Sequence, residues 1–305
     1  MAHAPAIFRG YNARAMNRFE ELRALLDLEQ IELNIFRGQN ERGQIGRLFG
    51  GQVLSQALMA AGRTVEHLPA HSLHGYFLRH GDPGVPVVYT VDRLRDGKSF
   101  VTRNVVAYQR GQAILNLSAS FHRAEAGIEH QDAMPPAPEP ESVPTWDQRM
   151  EQARERFPNW QERYERGAPP IDFRFVNLPV YLGGEPGPDP NLMWLRADGE
   201  LPESDALLHQ CFITYATDMS MIDTIVRHHA RPSSFMAGMS ASLDHAVWFH
   251  RPFRANEWLL YAQDSPCAYG ARGFARGAIF TRAGVRVASV AQEGLVRRGT
   301  PAKRP

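Results

Sequence analysis

The stretch Ser242-Leu243-Asp244-His245-Ala246-Val247-Trp248-Phe249-His250-Arg251, SLDHAVWFHR, is echoed 170 positions earlier by Ser72-Leu73-His74-Gly75-Tyr76-Phe77-Leu78-Arg79, SLHGYFLR. A strand written twice at long range raises the question of an internal repeat, which has to be settled before any fold is assigned. The surroundings of the two stretches agree. Before the first copy come a β-rich run, IELNIFR, and a small-residue helix, GGQVLSQALMAAG, ending at Gly62. After it, VPVVYTVDRL, KSFVTRNVVAYQ and QAILNLSASFH alternate as strands, with Asp96-Gly97 and Arg110-Gly111 at the turns. Before the second copy come IDFRFVN and NLMWLRA as strands. SDALLHQCFITYATDMSMIDTIV then reads as one helix capped by Ser204 or Asp205. After it, EWLLYAQDS, YGARGFARGAIFT and VRVASVAQEGLVR complete the set, the last two joined at Ala283-Gly284.

Strand, helix and four antiparallel strands, twice over, is not a βαβ alternation. The second helix is apolar on nearly every face, from Leu207 through Phe212 and Ile213 to Val226. A helix of that kind must be wrapped by its sheet and not laid on a surface. The pattern predicts an α+β double hot dog, two tandem antiparallel sheets each curled round a central helix. The expected units are residues 18–125 and 169–300. Between them, residues 126–168 hold MPPAPEPESVP, with five prolines in eleven positions, and a charged surface helix broken near Pro158. The proline run reads as a stiff, extended linker.

Composition narrows the function. The 34 basic and 33 acidic residues nearly cancel, so neither a nucleic acid nor an anionic membrane surface is an expected partner. No window approaches the roughly 20 apolar residues that span a bilayer, and the N-terminus lacks a signal-peptide apolar run. The two cysteines, Cys211 and Cys267, form neither a disulfide framework nor a zinc pattern, which fits a cytoplasmic chain without a metal or other cofactor. His71 and His74, three apart in a strand, should lie on opposite faces and not share an ion. GMSAS at Gly238 to Ser242 lacks the second glycine of a serine-hydrolase elbow.

Seven strings carry a more specific signal: GRLFGGQVLSQAL, HSLHGYFLR, LRDGKSFVTR, SLDHAVWFHRPF, EWLLY, ARGFARG and VASVAQEG. Together, from about Phe36 to Arg297, the chain resembles the acyl-CoA thioesterase II family of double hot-dog proteins. The resemblance implies hydrolysis of acyl-CoA to a free acid and coenzyme A by a water held by an Asp, a Ser or Thr, and a Gln. Carried over by position, it implies Asp244, Ser265 and Gln292. Pro266 beside Ser265 is a departure from the pattern. These residue types suit the chemistry, since a carboxylate only accepts while an amide and a hydroxyl both donate and accept. A water so held needs no covalent acyl-enzyme.

The oxyanion donors are expected at the glycine-rich helix start Gly50-Gly51-Gln52, where N–H groups and the dipole favour negative charge. Asp218, buried in an apolar helix, reads as a helix-to-sheet hydrogen-bonding residue, with support of catalysis as the sharper alternative. His74, which answers Asp244 in the first copy, reads as scaffold, the alternative being a degenerate second site. Arg251, Arg254, Arg272, Arg276 and Arg297 are unranked candidates for the coenzyme A phosphates. Two other functions fit the pattern: a hot-dog acyl-CoA hydratase or dehydratase using His74 as base, and a catalytically silent acyl-CoA binding module. Pairing of hot-dog sheets makes a homo-oligomer, dimer or tetramer, the expected assembly.

Overall fold

The computed structural model describes residues 18–41, 44, 46–156, 170–229 and 239–297. The expected kink near Pro158 lies outside them. A short helix α1 (Arg18–Leu26) precedes a hairpin of β1 (Glu29–Glu32) and β2 (Ile35–Gly38), where the sequence reads as one strand. Helix α2 (Gly50–Gly62) follows, then β3 (Ala70–Phe77), β4 (Val87–Asp96), β5 (Phe100–Gln109) and β6 (Gln112–His122). Helix α3 (Trp146–Arg156) leads to β7 (Ile171–Phe175) and β8 (Asn191–Ala197). The long apolar helix is two: α4 (Ala206–Thr217), capped by Asp205 through its bond from the Leu208 amide at 2.9 Å, and α5 (Met221–Val226). The second copy closes with β9 (Met239–Ser242), β10 (Asp244–Phe249), β11 (Leu259–Tyr269), β12 (Arg272–Thr281) and β13 (Arg286–Arg297).

All thirteen strands belong to one antiparallel sheet, ordered β1-β2-β4-β5-β6-β3-β10-β13-β12-β11-β8-β7, with β9 beside β13. Read from either end, the order is the same arrangement, which is the double hot dog. The two echoing stretches meet at its centre, Leu73 opposite Val247 and Gly75 opposite His245. The repeat therefore builds one continuous sheet, its two halves sharing the β3–β10 seam.

Helices α2 and α4 lie against each other inside the sheet, antiparallel. Gly51 sits on the Tyr215 carbonyl and Gly62 on the Leu207 side chain, contacts that leave no room for a Cβ. Twelve of the thirteen α2 residues are buried, so this helix forms because it is enclosed.

The proline run is a strap and not a free linker. The Gln131 side chain bonds both Gly284 and the Arg286 amide, and Trp194 Nε1 donates to the Pro138 carbonyl at 2.8 Å. Beneath it, Val143, Leu192, Trp194, Leu260 and Phe280 form a second small core on the outer face of the C-terminal half-sheet.

Candidate active site

Strand alternation decides which side chains face the helices. On β13, Val290, Gln292 and Gly294 are buried against them, and Ala291 and Glu293 face outward. On β10, His245, Val247 and Phe249 face inward, and Asp244 faces outward. Between β9 and β10 the register slips. Gly294 stands opposite Ser242 and Ala291 opposite Ala246, three positions on β13 against four on the partner. This β-bulge at Leu243 reverses the side-chain direction along the strand. Ser242 is thereby on the helix side and Asp244 is not.

The inward side chains converge. Gln292 Nε2 donates to Ser242 Oγ at 3.0 Å, and Ser242 Oγ donates to Asp218 Oδ1 at 2.9 Å. Asp218 is the residue after α4, at the break before α5, so the chain turn aims its carboxyl at the N-terminus of α2. The Gly51 amide bonds this carboxyl, and a Cβ on Gly50 would lie 2.6 Å from Oδ2. Behind Gln292, His245 Nδ1 lies 2.5 Å from Oε1, and His245 Nε2 lies 2.9 Å from Thr217 Oγ1. Gln292 and His245 are 0% and 1% exposed, and Asp218 is 8% exposed.

Burial moves the Asp218 pKa from 3.8 up to about 6, against the opposing pull of Ser242, the Gly51 amide, Gln292 and the Arg47 charge. Burial likewise lowers His245 to about 4, so its ring is neutral. Arg47 donates to the Ser240 carbonyl at 2.9 Å and places an exposed cation beside the site. A carboxylate near neutrality, a hydroxyl and an amide can together hold one water and accept its proton.

Three expected members meet differently. Gln292 is central. Asp244 lies on the outer face, where Oδ1 accepts from the Glu293 amide at 2.6 Å, a backbone donor that the bulge frees. Ser265 sits on β11, two strands from Gln292, roughly 10 Å by strand spacing. Its Oγ donates to the Phe274 carbonyl at 2.8 Å, in a second bulge that accommodates Pro266. Asp244, Ser265 and Gln292 thus do not surround a common point, and Asp218 and Ser242 take the carboxylate and hydroxyl places beside Gln292.

At the helix start, Gly50 and Gly51 adjoin the site, whereas the Gln52 side chain points away and ties residues 39–44 together through Asn40, Glu41 and Gln44. His74 is exposed on the outer face, edge-on to Trp248 at 4.9 Å, away from any such cluster. His71 shares that face, contrary to simple alternation, because the β3–β6 register slips between Ala70 and Ser72. Arg254, Arg272 and Arg276 are ion-paired with Glu203, Glu293 and Asp264. Among the described residues no group of three or more His, Cys, Asp or Glu is placed to hold a metal ion. None of the helices there is long and apolar enough to cross a membrane.

Comparison with known proteins places this arrangement in a lineage. The sequence model for acyl-CoA thioesterase matches residues 168–295, and that for the acyl-CoA thioesterase N-terminal domain matches residues 40–122. Acyl-coenzyme A thioesterase 8 of Homo sapiens is 39% identical over 285 residues, covering 90% of this chain and 88% of the human protein. Acyl-CoA thioesterase 2 of Haemophilus influenzae is 36% identical over 275 residues, covering 90% and 96%. The crystal structure of the acyl-CoA thioesterase II TesB2 from Mycobacterium marinum superposes with a TM-score of 0.73 at 41% identity, over 93% of this chain and 99% of that one. A hot-dog protein from Alicyclobacillus acidocaldarius, 18% identical, shares the fold with a TM-score of 0.70. With both halves matched and identity near two-fifths over nine-tenths of its length, the chain belongs to the acyl-CoA thioesterase family.

Proposed function

We propose that the chain hydrolyses acyl-CoA thioesters with a water held by Asp218, Ser242 and Gln292, and without a covalent acyl-enzyme. The observation that carries this reading is the continuous hydrogen-bonded cluster of those three side chains at the N-terminus of α2. In the proposed step Asp218 takes one proton of the water while its oxygen forms a bond to the thioester carbonyl carbon. The carbonyl electron pair becomes an oxyanion, stabilised by N–H groups at the start of α2. The Gly51 N–H, bonded to ionised Asp218 at rest, is released toward that oxyanion once Asp218 is protonated. The C–S bond then breaks, the thiolate takes the proton from Asp218, and free acid and coenzyme A thiol leave.

The test is thiol release across an acyl-CoA chain-length panel, wild type beside Asp218→Asn. Loss of turnover by roughly 10²-fold or more is expected from removing the base, with no burst of thiol in the wild type. Unchanged turnover in Asp218→Asn would remove Asp218 from the mechanism. Binding without thiol release by the wild type would favour the silent binding module instead.

A further inference from the structure

Gln292 can serve a water only if its amide presents the right end. A glutamine amide is nearly symmetric in shape, and rotation by half a turn exchanges a donor for an acceptor at the same place. On one side of it stand Ser242 and the Asp218 carboxylate, and the latter can only accept when ionised. The amide must therefore turn Nε2 toward them and Oε1 away. The group that receives Oε1 is His245 Nδ1, at 2.5 Å, on the neighbouring strand. We propose that His245 is a positioning residue for the hydrolysis: its Nδ1–H locks the Gln292 amide with Nε2 facing the site. This rests on the proposed function above, and it adds a residue that does not touch substrate.

The wiring has one direction. With a single ring proton on Nδ1, Nε2 is an acceptor, and the Thr217 hydroxyl at 2.9 Å serves it as donor in place of its 3.1 Å bond to the Thr214 carbonyl. The sequence of donations is then Thr217 to His245, His245 to Gln292, Gln292 to Ser242, and Ser242 to Asp218. Each bond polarises the next, and the chain ends on the only carboxylate in it. Thr217 is the last residue of α4 and Asp218 is the next one, so both ends of the relay are fixed by one helix terminus. Reversing the amide would set Gln292 Oε1 against the ionised carboxylate and leave two donors, the amide Nε2 and Nδ1–H, facing each other.

Three measurements test it. Nitrogen-15 NMR of the histidine rings in the full-length enzyme should show His245 as the neutral Nδ1–H form, a readout that needs no activity; the Nε2–H form would overturn the wiring. Steady-state thiol release should separate His245→Asn from His245→Gln. The asparagine amide reaches the place of Nδ1 and should keep kcat within about tenfold of wild type. The glutamine amide reaches the place of Nε2 and should lose about 100-fold in kcat with KM little changed, the scale of a lost donor at a reacting centre. Equal kcat in the two variants would overturn the proposal even if His245→Phe failed to fold. Finally, adding His245→Gln to Gln292→Ala should cost less than about twofold more, because the two act as a unit. Full additivity would assign His245 to packing alone. If the wild type releases no thiol from any acyl-CoA, the proposed function fails, while the NMR result still stands or falls by itself.

Discussion

Asp218, the proposed base, carries an energetic cost whose sign can be measured. Its folded pKa of about 6 lies above the ordinary 3.8. The native state therefore binds this proton more tightly than the unfolded chain does. The cost of ionisation is absent below about pH 4 and complete above about pH 6, where about 2 pK units amount to ~3 kcal/mol. Asp218→Asn should accordingly raise the melting temperature at pH 8 and leave it nearly unchanged at pH 4, while abolishing turnover. A lower melting temperature at pH 8 would mean that the carboxylate stabilises the fold. In the wild type, kcat/KM should rise with pH through an apparent pKa near 6, as the base becomes ionised. Arg47 favours the ionised form, so Arg47→Met should displace that limb to higher pH, an effect that added salt in the wild type should reproduce in part. The anomaly of a carboxylate in an apolar helix was legible in the sequence. Its purpose was not, because only the break at residues 218–220 and the approach of α2 give it partners.

Helix α2 meets the site through two glycines whose replacements should fail for different reasons. A Cβ at Gly50 would sit 2.6 Å from Asp218 Oδ2 and 2.8 Å from the Phe77 ring, both side-chain atoms that can yield. Alanine there also gains up to about 1 kcal/mol in helix propensity. Gly50→Ala should thus keep the fold but displace the carboxyl, lowering kcat at least tenfold. At Gly51 the Cβ meets the Tyr215 carbonyl, a backbone atom of the packed partner helix. Gly51→Ala should therefore destabilise by a few kcal/mol, on the scale of overpacked cores, as urea denaturation would report. Equal stability of the two variants would contradict this division. Alternation places Val290, Gln292 and Gly294 of β13 correctly, but it cannot see the slips at His71, Leu243 and Val287. One unpaired residue at Leu243 turns the hydroxyl of Ser242 inward and the carboxylate of Asp244 outward, a geometry that the string SLDH does not display.

At the scale of the molecule, neither half holds the whole of the proposed site. Gly50 and Gly51 come from the first copy, and Asp218, Ser242, His245 and Gln292 from the second. The β3–β10 seam and the contact of α2 with α4 join them. The strap between the copies is held through Gln131, Asp132, Glu139 and Glu141 to the C-terminal half-sheet, whereas residues 123–130 form no helix or strand. Cutting the chain within that exposed segment leaves the strap with the half it covers. Each fragment alone would bare a central strand edge and one face of a buried helix, which proteins do not leave open without aggregation or self-pairing. Expressed together, the two fragments should copurify in equal amounts and release thiol from acyl-CoA. Expressed singly, the C-terminal fragment holds Asp218, Ser242 and Gln292, the proposed water site, but lacks the N-terminus of α2, and it should show no turnover even where it is folded by circular dichroism. A C-terminal fragment active by itself would show that the amides of α2 take no part, and the oxyanion site would then have to be built from the second copy alone.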